Sequence, residues 1–217
     1  MTTPSHVKSP RTIDPALPRY ESLVHMFAAA VDAHPQVAAV IMEDQRITYA
    51  EFGRATVGLA RRLTAAGAKQ GERVILLMPN SIEMDVALMA VLTAGAQVSP
   101  INPFLTAHEL EKQLVDVDAC AIISDASTAE KAKHLAGYFR IPTHVSLGKG
   151  ATPLDTWTRD ASLTLDPGTF PKADDLALHL GVPVVRMLKR SRHTHSQIEL
   201  PKAQREQNVR GAFELAE

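Results

Sequence analysis

A few residues have types and spacings that could do chemistry. His193-Thr194-His195 has the HxH spacing of a divalent-metal pair. No carboxylate or cysteine cluster accompanies it, so no metal centre is expected there. Lys189 stands beside Arg190 and Arg192, a composition suited to a solvated basic face. Three hydroxyl–carboxylate pairs, Thr48/Glu51, Thr106/Glu109 and Ser127/Glu130, resemble acid–base arrangements. Their three-residue spacing ahead of apolar-periodic segments is that of a helix capping box, which accounts for all three without catalysis. Cys120, between Ala119 and Ala121, reads as a buried, inert thiol. Gly67, Gly71 and Gly95 make no GxGxxG opening a helix after a strand, so a dinucleotide fold is disfavoured. Neither a nucleophile elbow nor a paired-carboxylate constellation is present, which leaves hydrolase readings unsupported.

The elements that would position these residues follow from hydrophobic period. Tyr20 to His34 places Leu23, Phe27, Ala30 and Val31 at helical spacings, and Pro35 ends the run. Val37–Met42 and Arg46–Tyr49 flank the polar turn Glu43-Asp44-Gln45 and predict a hairpin. A helix from Thr48 stops at Gly67. Glu72–Met78 reads as a buried parallel strand, and Pro79-Asn80-Ser81 opens a helix closed by Gly95. Gln97–Ile101 is extended, and a helix from Thr106 runs towards Val117. Ala119–Ser124 is a strand, a helix from Ser127 ends near Phe139, and His144–Leu147 is a further strand. Short apolar strands alternating with helices predict a doubly wound α/β fold, with a largely parallel sheet covered on both faces.

Composition narrows the class. The 217 residues are 45% hydrophobic and 22% charged, an ordinary globular balance large enough for a substantial core. With Lys+Arg 23 against Asp+Glu 24, no global field would recruit nucleic acid or an anionic membrane. A single cysteine excludes internal disulfides and fits a reducing, cytoplasmic setting. The longest apolar run, Val86–Leu92, is far short of the ~20 residues a membrane span needs. Met1–Pro18 offers no apolar signal-peptide stretch, so the mature chain is expected to begin there. The predicted organisation is a lead at 1–18, an α/β subdomain at 19–147, a surface connection at 148–173, an altered loop region at 174–199 and a basic, poorly patterned tail at 200–217.

In series, Ile47-Thr48-Tyr49-Ala50-Glu51-Phe52, Asn80-Ser81 after a buried strand, Leu92-Thr93-Ala94-Gly95-Ala96 and Pro100-Ile101-Asn102-Pro103 stand in a specific order. That order resembles the N-terminal portion of AMP-forming acyl-CoA synthetases. Thr106-Ala107-His108-Glu109-Leu110 followed by Gln113-Leu114 is similar to the branch acting on fatty and aryl acids. The resemblance implies that a carboxylic acid and ATP, with Mg2+, give an acyl-adenylate, which CoA then converts to an acyl-CoA. It also places Lys189 at the phosphate-loop lysine, as a charge near the ATP phosphates, and His195 beside the acyl pocket.

Two departures qualify that implication. After Asp174–Leu180 the family has a Ser/Thr/Gly-rich phosphate loop ending in Pro-Lys-Gly. Here the segment is Gly181-Val182-Pro183-Val184-Val185-Arg186, before the resemblance resumes at His193-Thr194-His195-Ser196. Phosphate cradles need inward backbone amides, small residues with positive φ and hydroxyls. This segment has one glycine, no hydroxyl, a proline without an N–H and three β-branched valines, so it is expected to be extended and to bind ATP phosphates weakly or not at all. Compensating reading-frame shifts in the coding DNA would explain a scrambled window between two matching ones. Beyond about Glu199 the family's later motifs have no counterpart, so this chain alone is expected to be inactive. The alternatives are a non-catalytic interaction module, self-associating or docking to a complete synthetase, or one half of a split synthetase complemented by a second chain.

Overall fold

The computed structural model describes residues 18–172, 188–190 and 213–215. Ser22 caps α1 (Leu23–Ala33), its hydroxyl oxygen accepting the His25 N–H. β1 (Ala38–Met42) and β2 (Gln45–Thr48) pair antiparallel with Met42 opposite Gln45, which leaves Glu43-Asp44 as a tight turn. Glu43 takes the positive φ, 53°, that such turns require.

α2 (Tyr49–Ala65) starts from a complete capping box. The Glu51 N–H donates to Thr48 Oγ1 at 3.3 Å, and the Thr48 N–H donates to Glu51 Oε2 at 2.9 Å. Gly67 ends the turn at φ 97°. β3 (Arg73–Leu77) leads to α3 (Ile82–Thr93), capped by Ser81. β4 (Gln97–Pro100) precedes α4 (Ala107–Leu114), where Thr106 and Glu109 form the second capping box. β5 (Ala119–Asp125), α5 (Ala129–Phe139) and β6 (Thr143–Leu147) follow.

The four strands β3 to β6 form one parallel sheet in the order β4-β3-β5-β6, with helices on both faces. This is the doubly wound α/β class that alternating strands and helices predict. The period of the strands divides the core. Val74, Leu76, Val98, Ala121, Ile123 and Val145 pack towards α1, α2 and α3, whereas Ile75, Leu77 and Ile122 pack towards α4 and α5.

Three expectations are corrected. The Ser127/Glu130 box does not form: Thr128 is the N-cap of α5 and makes no side-chain cap bond, while Ser127 Oγ donates to Asp125 Oδ1 at 2.7 Å. The buried stripe of α1 is Val24, Phe27 and Ala28, and Leu23 is 49% exposed. The helix is apolar nearly all round, so period alone leaves its rotation undetermined. The stretch 148–171 is more than a surface connection. It carries α6 (Asp155–Thr158) and a 3-10 turn (Pro167–Thr169), and it buries Leu163 and Phe170. α6 docks on α2, where a Cβ on Gly58 would overlap the Trp157 ring and where Arg54 Nε donates to the Thr158 carbonyl.

Residues 182–217 form a separate unit from 1–181. Its described part is a short antiparallel pair, β7 (Leu188–Arg190) and β8 (Phe213–Leu215). Residues 1–17 of the expected lead at 1–18, the apolar, strand-like run at 174–180 and the extended segment at 181–186 lie outside the described residues.

Candidate functional site

In open α/β sheets, ligands bind beyond the carboxyl ends of the strands, where the strand order reverses. Here β4 follows β3 on one side and β5 crosses to the other, so the reversal lies between β3 and β5. The loops after these strands begin at Met78 and Ala126. Thr128 Oγ1 donates to the Leu77 carbonyl at 2.6 Å, spanning the carboxyl ends of both strands. Asp125 Oδ1 accepts the Thr128 N–H at 2.9 Å and the Ser127 hydroxyl. The side chains at the reversal are therefore spent on the protein's own backbone and on one another, and a phosphate would have to displace these bonds.

Beside β4 the loop 101–106 is held from two directions. Lys131 Nζ donates to the Pro103 carbonyl at 2.7 Å and to the Leu105 carbonyl at 2.9 Å. The Phe104 N–H donates to Asn102 Oδ1, and Phe104 itself is 84% exposed. On the outer side of the sheet, Ser124 Oγ and His144 Nε2 are 2.8 Å apart across β5 and β6. Burial pushes the His144 imidazole below its ordinary range, with Glu130 opposing and Lys133 reinforcing that shift. A Ser–His contact can activate a nucleophile, but Ser124 is fully buried and no substrate can reach it. Nothing in the sequence flags this pair, because the two residues lie twenty positions apart and meet only through strand pairing.

Among the sequence-predicted residues, Lys189 lies on β7 opposite Glu214 of β8. His193 and His195 lie outside the described residues. Cys120 is a free, half-buried thiol on β5, pushed up by burial and then by Glu72, as suits an inert cysteine. No cluster of three potential metal ligands exists among the described residues, and none of the described helices is long and apolar enough to cross a membrane.

A family profile described as "AMP-binding enzyme" matches residues 27–180. The chain belongs to this family. Similar AMP-binding relatives include the long-chain-fatty-acid–CoA ligase of Haemophilus influenzae, 38% identical over 117 residues, which are 52% of this chain and 21% of that ligase. The corresponding ligase of Yersinia pestis is 37% identical over 126 residues, 56% of this chain and 22% of its own. A solved fatty acyl CoA synthetase of Mycobacterium tuberculosis is 28% identical with a TM-score of 0.58, covering 70% of this chain and 30% of that one. The chain thus spans about a fifth of the length of the curated relatives it matches and corresponds to the N-terminal part of such ligases. The family match closes at residue 180, immediately before Gly181-Val182-Pro183-Val184-Val185-Arg186.

Enzymes of the AMP-binding family work with ATP or AMP and CoA. The segment that follows the matched region carries one glycine, no hydroxyl side chain and a proline lacking an N–H.

Proposed function

We propose that the chain is the N-terminal portion of an AMP-dependent acyl-CoA synthetase lineage that activates fatty or aryl carboxylic acids, and that as these 217 residues it does not hold the phosphates of Mg-ATP. The observation that supports this reading is the position of the family match, which runs to residue 180 and closes immediately before a segment rich in valine with a proline. Stabilising charge on a transferring phosphoryl group requires preorganised donors, and a β-branched, hydroxyl-free segment supplies few. Its single cysteine accords with a reducing compartment, for which we take the cytoplasm.

Calorimetry of Mg-ATP binding to the folded chain, with and without a medium-chain fatty acid, tests the proposal. The expected result is no binding heat from a protein whose circular dichroism is that of a folded α/β domain. Micromolar binding would overturn it, and would give Lys189 the phosphate-contacting role and His195 the acyl-pocket role that the resemblance implies. In that case Lys189→Ala should weaken ATP and His195→Ala the acid.

The apolar outer face of α1, where Leu23 and Met26 are 49% and 45% exposed, supports a second reading as an interaction module or as one part of a split synthetase. Light scattering distinguishes it. A monodisperse monomer that binds no complete synthetase removes the interaction-module reading, and the lack of a downstream coding frame with the later motifs removes the split-synthetase one.

A further inference from the structure

α1 and α3 enclose a groove of about 430 Å3, completed by Tyr49 and Phe52 from the first turn of α2. Its walls are the outer residues of α1, Leu23 and Met26 among them, and Leu88 and Met89 of α3. The sequence of α1, LVHMFAAAVDA, has only His25 and Asp32 as polar residues. One apolar stripe of the helix is in the core, and the other lines the groove, where Leu23 and Met26 remain about half exposed among the described residues. An apolar stripe on each side of a helix is the pattern of a helix packed on both sides. Methionine side chains on the groove wall adapt to more than one apolar shape, as surfaces that receive helices do.

Within this apolar lining stands a single charge, the half-buried carboxylate of Asp85. No cation lies within ion-pair distance of it among the described residues, and it makes no hydrogen bond through its side chain there. Its desolvation disfavours the charged form, so water does not compensate it fully. A carboxylate in a groove that two aromatic rings also line is a recognition pattern for a lysine or arginine head. A groove between two helices has the shape that a third helix fills through ridge-and-groove packing.

We propose that this groove is a docking site for an amphipathic helix of another polypeptide that carries one lysine or arginine among its apolar anchors. The incoming cation meets Asp85, and the apolar anchors cover Leu23, Met26 and Leu88. The inference rests on the groove alone and is independent of whether the chain binds ATP.

Fluorescence anisotropy tests it with a labelled, lactam-bridged Leu/Ala helical peptide bearing one central lysine. Saturable binding is expected, and replacing the peptide lysine by glutamate should weaken it about tenfold, the scale of a partly desolvated charge pair. Asp85→Lys should reverse the preference, so that the glutamate peptide binds this variant better than the lysine peptide does. Should Asp85→Lys fail to fold, Asp85→Asn should remove the difference between the two peptides. Equal affinities for both peptides on the native chain, or no saturable binding, overturn the proposal. Sedimentation velocity covers the remaining occupant: a concentration-dependent dimer that Met26→Glu dissolves would make the groove a contact between two copies of this chain and overturn the proposal as well.

Discussion

Trp157 packs against α2 at Gly58, where the absence of a Cβ lets its ring approach the helix backbone. Gly58→Ala would put a methyl into the indole and force α6 away from α2. The expected loss is about 1–3 kcal/mol, the usual cost of overpacking a filled contact, measured as a lower midpoint in urea unfolding. Three titrating groups act with known sign. The Glu51 carboxyl is held below its ordinary range chiefly by the Thr48 N–H and then by the Thr48 hydroxyl. Its stabilisation is present at neutral pH and lost as pH falls through that depressed value. His144 is kept neutral mainly by burial, so stability also falls as pH drops from the ordinary imidazole range to the lowered one. Asp85 runs the other way: its raised value makes the fold more stable as pH falls through it. Thermal melts between pH 7 and 5 should therefore lose their slope in His144→Asn, and Asp85→Asn should melt higher than the native chain at pH 7. Of these partners only Thr48 with Glu51 is legible in the sequence, because Gly58 with Trp157 and Ser124 with His144 are joined only by tertiary packing.

At the scale of elements, the capping boxes show where local reading succeeds and where it stops. Thr48/Glu51 and Thr106/Glu109 form as their spacing predicts, since each hydroxyl and carboxylate has the first orphan amides of its own helix as its nearest partners. Ser127/Glu130 has the same spacing, but Ser127 has another acceptor two residues away and the neighbouring Thr128 has a nonlocal one. Asp125 takes the Ser127 hydroxyl, and Thr128 reaches the Leu77 carbonyl fifty-one residues away. Consequently Thr48→Ala should cost about 1 kcal/mol, whereas Ser127→Ala should change stability by less than about 0.5 kcal/mol, both by denaturant titration. Thr128→Val should cost more than Ser127→Ala, because it leaves a buried carbonyl between β3 and β5 without its donor. Strand positions were readable for a complementary reason: continuous apolar runs bounded by glycine and proline have few alternatives once both faces of a sheet are covered. The rotation of α1 was not, because a nearly all-apolar helix has no polar face to orient it.

For the whole molecule, the α/β class, the element order and the family followed from the sequence, while the groove at Asp85 and the closed strand ends at Thr128 required the fold. The order β4-β3-β5-β6 also bears on how the chain is made. β3 is synthesised first and lies inside the sheet. β4 pairs with β3, β5 pairs with β3 and β6 pairs with β5, so each later strand finds its template already emerged from the ribosome. After β3, each new strand emerges with a pairing edge already made, which shortens the period in which open edges invite aggregation. Nascent chains arrested once β6 has cleared the ribosomal tunnel should already resist limited proteolysis through β3 to β6, before any residue beyond 181 has emerged.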